Sequence, residues 1–434
     1  MSEIRIAFCI PTYKHPHMIE EFLGQYAAGY AERSIDIYIY DSSPDDETEK
    51  TVTAYQQKID SLYYIRIPEE VNVYKKIYLI FQQYEMKDQY DFIWPCGDGI
   101  HYPLRAMDTI LPQISHQYDM VHINATDREG LGTRVYEDCN EYLGDCAWHT
   151  TLLGALLFNC NTMLKDVCWK TYEEKFLKEG YLEFSQVSFY FYRFLEMPRF
   201  CVKYISGASL CYRSKLKKRT VWYERLFKVL CVDWVNTIET LPDCYTNKET
   251  ALLKLGKYSL LETEESFLQK RIDGIYDDNI FHQYEDVFPK ICDIPTNVLK
   301  KIAYMTPEQA LLEREKRIGE WQAALRSLGE KHHGILIYGA GPIARRYAKF
   351  LEIQNISFTG FVISAKKENT DLLMGRPVYS VEELTSEQKN CGICLGLSVE
   401  YHEQVKKTLE EKGMIEHVFF DRELNEYIIS EFVP

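Results

Sequence analysis

Tyr90-Asp91-Phe92-Ile93-Trp94-Pro95-Cys96-Gly97-Asp98-Gly99 is an apolar run that stops at a carboxylate held between two glycines. Residues 90–94 are aromatic and β-branched with no helical period, which predicts a short buried strand. Asp98 then stands just past the carboxyl end of that strand. Ligands of open α/β sheets gather outside such ends, so this side chain is placed to reach a phosphate or a metal. The plainer alternative is that Gly97-Asp98-Gly99 is only a tight turn. The neighbouring strands bear on the choice.

Residues 4–10 predict a first strand, which ends in Pro11-Thr12-Tyr13-Lys14-His15-Pro16 before a helix over about 17–30. A second strand over 35–40 stops at Asp41-Ser42-Ser43-Pro44-Asp45-Asp46 and feeds a helix over 47–59. A third strand follows over 63–67. Tyr74, Ile77, Tyr78 and Phe81 then recur at a spacing of three to four, predicting a helix over 73–84. Strands alternating with helices imply a parallel sheet, in which 90–94 is the fourth strand. Three strand ends, Pro11-Thr12-Tyr13, Asp41-Ser42-Ser43 and Cys96-Gly97-Asp98, should therefore open on one crevice.

The chain has 434 residues, more than one typical core, and a formal charge of -15. Two or three domains are expected. The charge argues against nonspecific nucleic-acid binding, which needs clustered Lys and Arg, so any bound anion must be held locally. Thirteen scattered cysteines suit a reducing compartment better than a disulfide framework. The sequence enters a strand directly, with no basic leader, and its longest apolar window is far below the roughly 20 residues of a membrane span. A cytoplasmic location is expected.

The three strand ends together resemble the nucleotide-sugar half of family 2 glycosyltransferases of the GT-A fold, over about residues 4–215. The resemblance implies that Pro11, Thr12, Tyr13, Asp41, Ser43, Gly97 and Asp98 line the donor-nucleotide site, with Asp41 accepting a hydrogen bond from a uracil ring. A helix N-cap is the local alternative for Asp41. The family's metal motif is two acids separated by one residue; here Cys96, Gly97 and Asp98 stand there. Mg²⁺ and Mn²⁺ prefer oxygen ligands, so Asp98 would hold the ion with the donor diphosphate and water. His149, in Trp148-His149-Thr150-Thr151, is a second candidate to touch the metal or the diphosphate; its local alternative is a structural histidine beside Trp148. The segment Glu179-Gly180-Tyr181-Leu182-Glu183-Phe184-Ser185-Gln186 matches the place where inverting relatives carry a general base, and Glu183 matches it best. Its local alternative is a capping glutamate at a helix start.

Arg213-Ser214-Lys215-Leu216-Lys217-Lys218-Arg219 is the one dense basic run, followed by an apolar helical pattern over 221–241. A peripheral membrane contact through 213–241, at the inner face and toward a lipid-linked acceptor, is one reading; a solvated turn and a core helix is the other. Residues 216–332 predict a helical bridge, which could also carry homo-oligomerisation. Gly339-Ala340-Gly341-Pro342-Ile343-Ala344 then joins a strand to a helix as Gly-x-Gly-x-x-Ala, with Gly339 for the bend, Gly341 for close approach to a phosphate and Ala344 for helix packing. The next strand ends at Ser364, where a dinucleotide site wants an acid. Residues 333–434 resemble Rossmann-like accessory domains of bacterial capsule, teichoic-acid and sugar-modifying enzymes. Cys391 and Cys394 share Cys-x-x-Cys spacing, but a strand sends them to opposite faces, so they are expected in the core.

The expected fold is α/β, with a GT-A domain over 1–215, a helical bridge over 216–332 and a Rossmann-like domain over 333–434. The expected function is inverting transfer of a sugar, from a nucleotide donor of the UDP type, to a hydroxyl of a glycan, glycolipid or polyol-phosphate, with Mg²⁺ or Mn²⁺. A dinucleotide-dependent oxidoreductase and a noncatalytic nucleotide-binding scaffold are the alternatives.

Overall fold

The structure, a computed structural model, describes residues 4–69, 71–85, 89–125, 131–206, 212–213, 223–258, 261–365, 371–397 and 401–432. Contacts divide the chain into two compact units, Met1–Leu255 and Gly256–Pro434. Both are α/β, as expected.

The first unit holds β1 (Ile6–Thr12), β2 (Ile35–Asp41), β3 (Leu62–Arg66), β4 (Phe92–Pro95), β5 (Ile100–His101), β6 (Met120–Ile123), β7 (Arg134–Tyr136), β8 (Leu156–Asn159), β9 (Val202–Ile205) and β10 (Tyr212–Arg213). Eight of them form one sheet in the order β3-β2-β1-β4-β8-β6-β9-β7, and β5 pairs with β10. Pairing is parallel from β3 through β4 and antiparallel from β4 to β8 and from β8 to β6. Every residue of β1 is buried, which explains its unbroken apolar run: a central parallel strand is covered on both faces. Phe8 packs edge-on against Tyr30 and Trp94, with ring centroids 5.2 Å apart in each pair. Register then sets the crevice, because Thr12 is the direct partner of Asp41.

The apolar pattern over 221–241 does not form one regular helix. A 3₁₀ turn over Tyr223–Arg225 leads into Leu226–Lys228, a π-helical turn over Val229–Trp234 and a last α turn over Val235–Glu239. The wider turn buries Val229, Leu230, Cys231, Asp233 and Trp234. Trp234 lies edge-on to Trp148 (5.1 Å) and to Phe184 (5.2 Å), inside the first unit. Residues 214–222, which carry most of the basic run and its proposed membrane contact, lie outside the described residues. No helix among the described residues is long and apolar enough to cross a membrane.

The second unit holds β11 (Ile335–Tyr338), β12 (Gly360–Ile363), β13 (Leu372–Leu373), β14 (Arg376–Ser380), β15 (Gly392–Leu395) and β16 (Val418–Phe419), ordered β13-β14-β12-β11-β15-β16 and parallel except for β13. Cys391 and Cys394 enter separate core clusters on the two faces of the sheet. The region expected as a bridge falls partly in each unit: 223–255 packs in the first, and helices from 261 onward belong to the second.

Long-range charge pairing explains the latter. The helix Pro307–Lys331 carries Arg314, which is buried and donates to Glu265 of the Glu264–Ile272 helix and, at 2.7 Å, to Glu431 of the Arg422–Glu431 helix. Arg317 pairs with Glu264 on the same helix as Glu265, and Glu423 accepts the backbone N–H groups of Glu264 and Glu265. Burial pushes the Glu265 carboxyl up to about 7, against the pull of Arg314. Removing one partner of such a buried pair leaves the other uncompensated, at a cost of about 3–5 kcal/mol. We therefore expect Arg314→Met to lower the unfolding free energy of the second unit by about that amount in urea titrations, and Arg314→Met with Glu265→Gln to recover part of it. An unchanged midpoint in the single variant would contradict this account.

Candidate active site

The loop after β1 is tied to both neighbouring strand ends. Thr12 donates its hydroxyl to Asp98 Oδ2 (3.1 Å), and His15 Nδ1 lies 2.7 Å from the same oxygen. On the other side, the Lys14 backbone N–H donates to Ser43 Oγ at 2.8 Å. Lys14 takes a left-handed backbone conformation (φ 56°), which turns the loop between the two contacts. Pro11 and Thr12 are buried; Tyr13 is 40% exposed and donates to Glu69. Thr12 thus pairs in register with Asp41 and hydrogen-bonds Asp98, and His15 joins them, a residue the sequence pattern did not single out.

Asp41 is not a helix cap, since the Glu47–Gln56 helix has Asp46 at its N-cap. It is fully buried and accepts from the Ser43 N–H and hydroxyl on Oδ1, and from the Tyr64 hydroxyl (2.9 Å) and Arg66 (3.1 Å) on Oδ2. Four donors match the roughly four lone-pair directions of a carboxylate. For Asp41 to accept from a bound base, one donor must therefore give way. Arg66, whose side chain is 41% exposed, is the donor with solvent to move into.

Asp98 is 9% exposed at the end of β4. Cys96 is fully buried and its thiol donates to the Ile100 carbonyl. Gly154 (φ 105°) leaves room for this thiol: a Cβ there would come within 2.9 Å of Cys96 Sγ. Its carbonyl is held by the Trp94 indole (2.7 Å) and the Tyr102 hydroxyl (2.6 Å). A Cβ on Gly97 would meet only ordinary contacts, from Ile100 and Leu153. No group of three or more His, Cys, Asp or Glu side chains among the described residues could hold a metal. What fits is the sparse mode that Mg²⁺ tolerates, one protein carboxylate with phosphate and water ligands. His149 is buried, with its ring 6.3 Å from that of His122.

The helix Val73–Glu85 serves two sides of the site. Lys76, 3% exposed, reaches the carbonyl of Thr12 with its ammonium (2.6 Å). Burial pushes this lysine down to about 8, against the pull of Asp41 and Asp98. Two residues earlier, Tyr74 donates its hydroxyl to Glu183. Glu183 sits in a 3₁₀ turn, Leu182–Phe184, directly before the helix Ser185–Glu196, and also accepts from Arg225 at 3.0 Å. Burial raises its pKa above the ordinary value, and Arg225 opposes the shift. Asp233, on the π-helical turn, is raised to about 6 by burial and by the charge of Glu183. Nothing local in the sequence marks Asp233 or Lys76; only the tertiary packing brings them here.

In the second unit Gly339 has φ 118°, and a Cβ on it would come within 2.6 Å of the Gly396 carbonyl. Gly341 caps the Pro342–Ile353 helix and has open space beside it. Ala344 is fully buried under Gly396, whose own Cβ would strike its backbone. Gly339 thus makes a bend that a side chain would block, and Ala344 packs closely against Gly396. Ser364 hydrogen-bonds Tyr338 at 2.8 Å at the end of β12.

No protein-family model matches the chain, and no curated protein does. Among solved structures it is similar to S. aureus TarS, with 14% identity and a TM-score of 0.39 over 69% of this chain and 55% of that one. The chain thus spans about half the length of that protein. It is similar to the mannosyltransferase PcManGT from Pyrobaculum calidifontis, solved in complex with GDP-Man and Mn²⁺, with 12% identity and a TM-score of 0.38 over 71% of this chain and 85% of that one. It is also similar to glucosyl-3-phosphoglycerate synthase from Mycobacterium tuberculosis, solved with Mn²⁺, UDP and glucosyl-3-phosphoglycerate, with 10% identity and a TM-score of 0.35 over 55% of this chain and 81% of that one.

Proposed function

We propose that the first unit is an inverting glycosyltransferase that moves a sugar from a nucleoside diphosphate donor, of the UDP type, to a hydroxyl of a glycan, glycolipid or polyol-phosphate. The observation that carries this reading is the convergence of Thr12, Asp41 and Asp98 at adjoining ends of parallel strands, with Glu183 linked to the same region through the Val73–Glu85 helix. The crevice lies where β1 is flanked by β2 and β4, the point of an open sheet at which ligands bind.

In this reading Pro11, Thr12, Tyr13 and Ser43 line the nucleoside side, and Asp41 orders that wall and receives the base when Arg66 yields. Asp98, with Gly97 beside it, faces the diphosphate. A divalent cation held there by Asp98 would supply neutralising charge to the diphosphate oxygens. The remaining chemistry belongs to Glu183. An acceptor hydroxyl is far too weak an acid to ionise unaided, and a carboxylate within hydrogen-bond reach takes its proton as the oxygen attacks the anomeric carbon. Attack from the face opposite the leaving group inverts the configuration and needs no enzyme nucleophile. Burial favours this role for Glu183, because a raised pKa makes the carboxylate a better base. Tyr74 fixes one of its oxygens and Arg225 the other, so the acceptor must approach beside these donors or displace one.

A thermal-shift panel of nucleotide sugars should raise the melting temperature with one donor class, as any ligand selective for the folded state does; no shift with any of them would remove the proposal. Glu183→Gln should slow transfer by about a hundredfold or more, while leaving that shift in place. The rate should fall as pH drops through the raised pKa of Glu183, since the base is lost on protonation. Arg225→Met removes the group that opposes the shift, so the acid limb of the rate profile should move to higher pH. A limb that stays put or moves down would exclude Glu183 as the base.

A further inference from the structure

Lys76 is the most anomalous charge in the first unit. Lysine is almost never buried unless paired, because an ammonium taken from water must be compensated. Here the side chain is 3% exposed, its described hydrogen bond goes to a neutral carbonyl, Thr12 O, and no described ion pair includes it. The carboxylates that it feels, Asp41 and Asp98, are engaged elsewhere: Asp41 by four donors, and Asp98 Oδ2 by Thr12 and His15. The ring of Tyr13, itself exposed, lies 5.9 Å from the ammonium. Two residues before Asp98, the position from which a second metal-holding acid would act is a buried cysteine whose thiol donates to the Ile100 carbonyl. The strand ends thus hold an under-compensated cation where the donor's diphosphate is expected, and a reduced set of carboxylates to hold a metal.

We infer that Lys76 is the fixed cation of the donor site, with its ammonium bonded to the diphosphate of the nucleotide donor. This rests on the proposed glycosyl transfer. In that reaction the bond from the acceptor oxygen to the anomeric carbon forms, the bond from that carbon to the diphosphate oxygen breaks with its electron pair going to the diphosphate, and the acceptor proton goes to Glu183. Negative charge grows on the leaving diphosphate, and a positioned, desolvated ammonium stabilises it without reorganisation. Lysine suits the task as a compact point charge that needs no bidentate geometry.

The test separates a diphosphate contact from a merely structural lysine by comparing UDP with uridine. Titration calorimetry on wild type, Lys76→Met and Lys76→Arg is expected to show UDP affinity down by about tenfold or more in Lys76→Met, with uridine affinity unchanged and the loss largely restored by Lys76→Arg. Equal weakening of UDP and uridine, or no weakening of either, overturns the role of Lys76 and leaves the glycosyltransferase reading standing. Wild type that binds none of UDP, GDP, ADP and CDP overturns both. Should the variants fail to fold, amine acetylation of wild type read by mass spectrometry decides: UDP, and not uridine, must protect Lys76, and equal labelling with the two overturns the inference.

Discussion

The hydrogen bond from Thr12 to Asp98, closing over a parallel sheet in which Thr12 already faces Asp41, is the constraint on which the site depends. Parallel pairing from β3 through β4 fixes the directions of these four strands, so the loops that follow them leave from the same edge. Register then decides which side chains meet. A slip of one residue between β1 and β2 would send Thr12 and its neighbours to the opposite face of the sheet and dissolve the cluster. The buried aromatic pairs of β1 and β4, such as Phe8 with Trp94, oppose that slip.

The strand ends were legible in the sequence because their signals are local. Pro11-Thr12-Tyr13, Asp41-Ser42-Ser43 and Cys96-Gly97-Asp98 each follow a short apolar run and carry turn chemistry at its end. What failed to show was anything set by distance along the chain. Lys76 occupies a helix whose apolar spacing reads through Tyr74, Ile77, Tyr78 and Phe81, and nothing nearby says that its ammonium ends at Thr12, 64 residues earlier. Glu183 was visible, yet its partners Tyr74 and Arg225 lie 109 and 42 residues away. Asp233 depends on a π-helical turn, whose extra residue per turn shifts the side chains that follow and which no simple apolar period reveals.

The same reasoning applies to the division of the chain. A polar-faced helix such as Pro307–Lys331 reads as a solvated bridge when its charges are taken as surface charges. Arg314 and Arg317 are instead consumed by carboxylates on two other helices, one of them, Arg422–Glu431, near the end of the chain and not expected from its pattern. A charged helix face says only that charge must be compensated. Whether water or another helix does so is a tertiary fact.

Charge also ties the composition to the chemistry. With a formal charge of -15 the chain as a whole repels anions, so its net charge does not steer the proposed diphosphate donor to these strand ends. Affinity must then come from short-range groups made effective by burial. Lys76 and Arg66 supply that positive charge beside the strand ends, and His15 adds to it when protonated. Asp41 orients Arg66, Asp98 orients His15 and the Thr12 carbonyl orients Lys76, and burial strengthens each interaction by lowering the local dielectric. A site of this kind has a mixed character: a carboxylate holds Arg66 in place, while Lys76 rests on a neutral carbonyl and is short of full compensation. Cys96 belongs to the same balance. An acid there would add a second buried negative charge at the end of β4, and a neutral thiol avoids it, leaving the buried ammonium of Lys76 with less anionic protein around it and more need of an anionic ligand.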